Sequence, residues 1–120
     1  MAAENSELSG RDEVNDVSEL LSNPRRQYVV EALDASDGDS VELAALVDDV
    51  RELEAADSGG VTDDRTAVAL ELHHVHLPKL ADIGVATYDA DRKRVTPDRT
   101  RVADLLRAAK EAYRLLSSDA

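Results

Sequence analysis

A mainly α-helical fold with one small β-hairpin is what this sequence predicts, and three observations predict it. Apolar residues recur at steps of three and four through successive stretches, the period changes to two only after Gly84, and each helical stretch opens on a capping residue or a proline. The 120 residues are one small domain's worth, and 51 apolar side chains are enough for a core. That core must be built from Leu, Val and Ala, because the chain holds no Phe or Trp and three Tyr. The absence of Cys excludes disulfides and thiolate chemistry, and no apolar run approaches the roughly 18 residues of a membrane span. The first ten residues lack the basic start and apolar stretch of a secretory leader, so a cytoplasmic protein is expected.

Residues 1–11 are polar, small and aperiodic and read as a disordered acidic tail. Residues 12–96 carry the domain proper. Asp12 can cap a short helix through Leu21, with Val14, Val17, Leu20 and Leu21 on one side. Asn23 followed by Pro24 opens a second helix, because proline's fixed φ suits the first turn and its missing N–H costs nothing there. This helix carries Val29, Val30, Ala32 and Leu33, with Tyr28 beside them, and stops after Ala35 at Asp37-Gly38-Asp39. Ser40 is expected to cap a third helix bearing Leu43, Leu46, Val47, Val50 and Leu53, with Val41 making at most one residue of strand pairing. Gly59-Gly60 ends it. Thr62 or Asp63 then caps a fourth helix whose apolar set is Val68, Leu72, Val75, Leu80 and Ile83, and Pro78 should kink or split that helix near His74. Val85, Thr87 and Val95 flank a polar turn over residues 88–92, a hairpin with a basic exit. Thr96-Pro97-Asp98 opens the last helix, which occupies residues 97–120.

Helix, helix, turn, helix, helix, hairpin, helix is the order of a winged helix-turn-helix domain with a helix added at each end. In that fold one helix enters the major groove and the hairpin lies along the DNA backbone. The stretch His76-Leu77-Pro78-Lys79-Leu80-Ala81-Asp82-Ile83-Gly84-Val85 resembles the end of the recognition helix in ArsR-like winged-helix regulators. Its glycine has a physical task, since a helix turning directly into a strand needs a permissive residue at that point. Leu21-Ser22-Asn23-Pro24-Arg25-Arg26 is similar to the segment that opens the first core helix of the same superfamily. Together with Leu72-His73-His74-Val75-His76-Leu77-Pro78-Lys79-Leu80, it looks like a family of small haloarchaeal winged-helix proteins of unassigned function, for which transcriptional regulation is the expected role. The chain lacks the cysteine metal box of ArsR-like sensors, so metal-responsive derepression does not carry over.

Charge adds a second line of argument. The 26 acids are 16 Asp and 10 Glu against 11 Arg and 3 Lys, a net of −12, and such an Asp-rich, Lys-poor surface suits a solvent full of screening cations. A halophilic archaeal host is the expectation, with an ordinary acidic protein as the bland alternative. The imbalance lies wholly in the first sixty residues, which hold 16 acids and 4 bases, whereas the rest holds 10 of each. A surface for a polyanion should therefore come from the second half, where Arg92-Lys93-Arg94 is a run of three bases. The candidate DNA-binding residues are Arg65, Thr66, His73, His74 and Lys79 on the fourth helix and Arg92, Lys93 and Arg94 on the hairpin. Flanking Asp63, Asp64, Glu71, Asp89 and Asp91 favour the plainer reading of a solvated surface. Arg25 and Arg26 can touch a phosphate or pair with acids such as Glu19 or Asp34, and the sequence leaves that open.

His73 and His76, three residues apart, are a workable ligand pair on one helix face, but a zinc site wants three or four convergent ligands. No metal or other cofactor is expected, and His76 reads as structural. There is no nucleophile elbow and no Gly-rich phosphate loop, so an enzyme is not expected and no catalytic residue is nominated. In the last helix Val102, Leu105, Leu106, Ala109, Ala112, Tyr113 and Leu116 form a seam. It fits a homodimer interface, the arrangement by which winged-helix proteins read two half-sites, or a helix folding back on its own core. The leading expectation is a dimeric DNA-binding transcriptional regulator with double-stranded DNA as partner. The alternative is a protein-interaction module on the same scaffold that does not bind DNA.

Overall fold

The computed structural model describes residues 15–117; the expected tail over residues 1–11, the Asp12 cap and Val14 lie outside the described residues. Helix α1 occupies residues 15–21 and buries Leu20 completely. Asn23 caps α2 (Pro24–Ala35), its side chain accepting from the Arg26 N–H at 3.3 Å with Pro24 in the first turn, and Val29, Val30, Ala32 and Leu33 face the core. The short strand β1 (Val41–Glu42) follows and leads straight into α3 (Leu43–Ser58), which buries Leu43, Leu46, Val47 and Val50. Ser40 therefore does not cap this helix. Two strand residues intervene, and the Ser40 hydroxyl accepts instead from Arg94 at 2.9 Å. Gly59, at φ 73°, closes α3 in the left-handed conformation that a side chain would resist.

Asp64, rather than Thr62 or Asp63, caps α4 (Arg65–Glu71) by accepting from the Ala67 N–H at 2.8 Å. The other two are engaged elsewhere, Thr62 with Glu54 and Asp63 with Arg25. The helix then passes through a π turn (Leu72–His76) into α5 (Leu77–Asp82). Pro78 lies just beyond this turn. Its ring would crowd the His74 carbonyl and it has no N–H to offer, and the wider turn absorbs both effects. The irregularity anticipated near His74 is thus an inserted residue within a continuous helical path. It also overturns the expected apolar set, because Val75 is 47 % exposed while His76 and Leu77 take the inward positions.

Gly84, at φ 76°, turns the chain into β2 (Ala86–Asp89), which pairs antiparallel with β3 (Arg94–Pro97) in the register Ala86–Pro97 to Asp89–Arg94. Tyr88 belongs to the strand, so the turn is 90–93 rather than 88–92. β1 pairs with the other side of β3, Val41 opposite Val95, giving the strand order β1-β3-β2. Thr96 and Pro97 finish β3 and do not begin the last helix; Asp98 caps α6 (Arg99–Ser117), accepting from the Arg101 N–H at 3.0 Å. The result is mainly helical with a small three-stranded sheet, a winged helix-turn-helix with α1 and α6 added at its ends.

One core joins all of these elements. Val102, Leu105, Leu106 and Ala109 of α6 are 0–8 % exposed within it. Four of the seven nominated dimer-interface residues pack into the chain's own core, as in the fold-back alternative for this seam; Ala112 is half-buried, and Tyr113 and Leu116 remain at the surface. Arg99 fastens the start of α6 to the end of α2 by donating to the carbonyls of Leu33, Ser36 and Gly38 at 2.6–2.9 Å. No helix among the described residues is long and apolar enough to cross a membrane.

Candidate nucleic-acid interface

Six of the eight nominated residues meet in one groove of about 730 Å³, between the start of α3, the outer side of α4 with its π turn, and the hairpin turn. Leu43, Val47, Ala69 and Leu70 give it apolar lining, and Arg65, Thr66, His73, His74, Arg92 and Lys93 line it together with Glu42. The turn is held in place by its own chemistry. Asp89 accepts from the N–H groups of Asp91 and Arg92, both at 3.1 Å, Lys93 takes φ 54°, and the Lys93 carbonyl accepts from the Leu43 N–H at 2.9 Å. The hairpin tip is thereby tied to the first residue of α3. Lys79 and Arg94 lie outside the groove lining: Lys79 sits 3.5 Å from Glu19 of α1, and Arg94 is bound to Ser40 and to Glu42 at 3.2 Å.

Several carboxylates around this surface are matched by a guanidinium. Arg65 grips Asp48 at 2.6 Å and holds that carboxyl below its ordinary range by hydrogen bonding, while its own pKa rises. Both side chains are more than half exposed, so the pair adds little stability. Arg94 matches Glu42, and Asp89 lies 3.9 Å from Arg92. Arg92 is nonetheless 80 % exposed, and Lys93 has no ion pair among the described residues, nor does Asp91 in the same turn. The groove is thus mixed in charge: Arg65, Arg92 and Lys93 line it together with Glu42, which is paired with Arg94, and Asp91 lies in the adjoining turn.

The histidines diverge. His73 Nδ1 shares a 2.6 Å hydrogen bond with the Tyr88 hydroxyl of β2, whose pKa is raised by burial, and His74 stands exposed with its ring edge-on to His73. His76 is fully buried. The extra residue of the π turn separates His73 and His76, so the pair that shared a face at α-helical spacing points to different elements. Arg26 Nε–H donates to His76 Nδ1 at 3.3 Å, which leaves the ring proton on Nε2 to be donated to Glu71 at 2.7 Å. Burial pushes this imidazole below its usual pKa, against the opposite pull of Glu71. Among the described residues no group of three or more His, Asp or Glu is placed to hold a metal ion.

Behind the groove, Arg25 and Arg26 are spent on structure. Arg26 is 6 % exposed and donates to Glu19 as well as His76, and Arg25 reaches Glu54 of α3 at 2.5 Å, with Asp63 before α4 and Glu71 at its end both at 3.0 Å. One arginine of α2 thus spans the whole helix-turn-helix. A model of the family described as a domain of unknown function, DUF7344, matches residues 18–96, well over half of the chain. The chain belongs to that family. The DUF7344 match runs from α1 to β3, so it holds the groove and the arginine cluster and ends before α6. No curated protein and no solved structure matches the chain.

Two residues at this surface escape sequence reasoning. Leu70 of α4 lines the groove and is 54 % exposed, and Val75 of the π turn, outside the groove lining, is 47 % exposed. At α-helical spacing from Val68 and Leu72, Val75 counts as core, and Pro78 is the only sign that the spacing breaks. At the far side of the molecule a crevice of about 280 Å³ between α1, α2 and α6, lined by Leu20, Leu21, Leu106 and Ala109 among others, borders Tyr113. Tyr113 is 67 % exposed there, and Leu115 and Leu116 further along α6 are 67 % and 77 % exposed.

Proposed function

We propose that this chain is a cytoplasmic, dimeric, sequence-reading DNA-binding protein that regulates transcription in a halophilic archaeon. The recognition helix (α4, the π turn and α5) enters the major groove, and the 90–93 turn lies on the phosphate backbone. One observation carries the reading: residues of α4 and its π turn and the hairpin's Arg92 and Lys93 line a single groove whose one carboxylate, Glu42, is paired with Arg94, on a chain of net charge −12. The nearby carboxylates Asp48 and Glu42 are each paired with a guanidinium, that of Arg65 and that of Arg94.

Net acidity opposes DNA binding at low salt. In molar salt the screening length falls to about 3 Å, so overall charge counts for little and close contacts decide. Dimerisation uses the apolar end of α6, where Tyr113, bordering the α1–α2–α6 crevice, and Leu116, one turn further on, offer the self-complementary patch that a two-fold axis requires. The same exposed residues favour a second reading, a protein-interaction module that leaves DNA alone. Selection from sheared genomic DNA at molar KCl separates the two. Enrichment of a preferred sequence, reduced by Arg92→Ala with Arg94→Ala, supports the regulator, and recovery of no preferred sequence rejects it in favour of the module.

A further inference from the structure

Leu70 and Val75 lie on the outer side of the recognition helix, half exposed, where a DNA-reading helix ordinarily carries hydrogen-bonding side chains. In a regular α-helix residues five apart diverge by about 140°. The π turn inserts one residue between them, so across it five behaves like four and the two side chains fall on one stripe. The inner face records the same shift, since Leu72 and Leu77, also five apart, are both buried.

Among the described residues the hydrogen-bonding side chains left without a polar partner on this segment include Thr66 and His74, and the longer ones are engaged. Arg65 is held by Asp48 and the Ala44 carbonyl, Lys79 by Glu19, and His73 by Tyr88. Residues 65–82 contain no Asn or Gln, the usual readers of adenine, and Arg65 is their only arginine, the usual reader of guanine. Across the groove Arg92 and Lys93 supply positive charge for phosphates. Among the donors and acceptors of the major groove, the 5-methyl of thymine is the bulky apolar group that an aliphatic side chain can contact.

We infer that the recognition helix reads its duplex chiefly through thymine methyl groups, with Leu70 and Val75 as the specificity-determining side chains. This rests on the DNA-binding reading above and names what that surface recognises. A partner protein covering the same two residues is the competing occupant, and the cationic turn across the groove favours the polyanion.

The test uses the full chain and a duplex selected from a random pool at molar KCl, remade with deoxyuridine at each thymine in turn. Removing a buried methyl at one or two positions per half-site is expected to raise Kd about fourfold each. Leu70→Ala or Val75→Ala should raise Kd on the thymine duplex by a similar factor and erase the thymine-over-uracil preference at the position that residue contacts. A selected duplex that binds equally well with deoxyuridine everywhere overturns this inference and leaves DNA binding standing. If no duplex is enriched at all, the DNA reading fails and takes this inference with it.

Discussion

The side chain of Arg25 is 14 % exposed among three carboxylates from three parts of the chain, whereas that of Arg92 is 80 % exposed with one carboxylate 3.9 Å away. The two regions are built from the same residue types and differ in how many of the five donor positions the chain itself fills. Filled, an arginine locks α2, α3 and α4 into their crossing; unfilled, it is free to meet an outside anion. The lesson is that the acid-to-base ratio of a segment says little about its use until the pairing is known. Arg26 with His76 belongs to the first class and Lys93 to the second, while Arg65, Lys79 and Arg94 stand between, exposed but each matched to an acid.

Breaking the inner region should give the largest effect. Arg25→Ala leaves Glu54, Asp63 and Glu71 facing one another, and about 2–3 kcal/mol of stability should go, after allowing for the exposure of two of those acids. Thermal unfolding should then move down by roughly 10 °C, with the salt dependence of DNA binding unchanged. The same region should also respond to pH. His76 is neutral in the fold with a lowered pKa, so the unfolded chain binds its proton first as pH drops. Stability should be full above about pH 6.5, the ordinary imidazole value, and decline as pH falls from there towards the folded pKa. His76→Gln should flatten that decline, and melting curves between pH 7.5 and 5.5 would check it.

The outer region should behave in the opposite way. Arg92→Ala with Lys93→Ala should change stability by less than about 0.5 kcal/mol, and should reduce the slope of log K against log salt by about 2. Arg94→Ala should reduce it less, because Glu42 and Ser40 already engage that side chain. The smallest effect on the monomer should come from Leu116→Ser, which touches a side chain 77 % exposed, leaves the melting temperature in place and weakens self-association measured by sedimentation.

The fold was legible because its signals are local: Asn23-Pro24, Gly59-Gly60 and Gly84 each punctuate the chain for a steric reason that holds in any context. The two caps read at Ser40 and at Thr62 or Asp63 each fell short for a tertiary reason. Strand pairing of Val41 with Val95 claimed the residues after Ser40, and Glu54 and Arg25 claimed Thr62 and Asp63. The site was legible in part. Arg65, Thr66, His73, His74, Arg92 and Lys93 converge as their elements implied. Val75 was hidden because a π turn shifts the side chains from that point on by one position, and Pro78 hints at that shift without locating it; Leu70, before the turn, is an apolar residue off the inward stripe of Val68 and Leu72. The seam of α6 divided for a similar reason, since periodicity says which side of a helix is apolar and not where the core beneath it ends.

Chemical-shift mapping of the full chain against its selected duplex at molar KCl tests the central claim most directly. The account predicts the largest changes at Thr66, Leu70, His74, Val75, Arg92 and Lys93, with Arg25 and Arg26 unmoved. Changes confined to Tyr113–Leu116 or to the acidic surfaces of α2 and α3, with the groove silent, would contradict it.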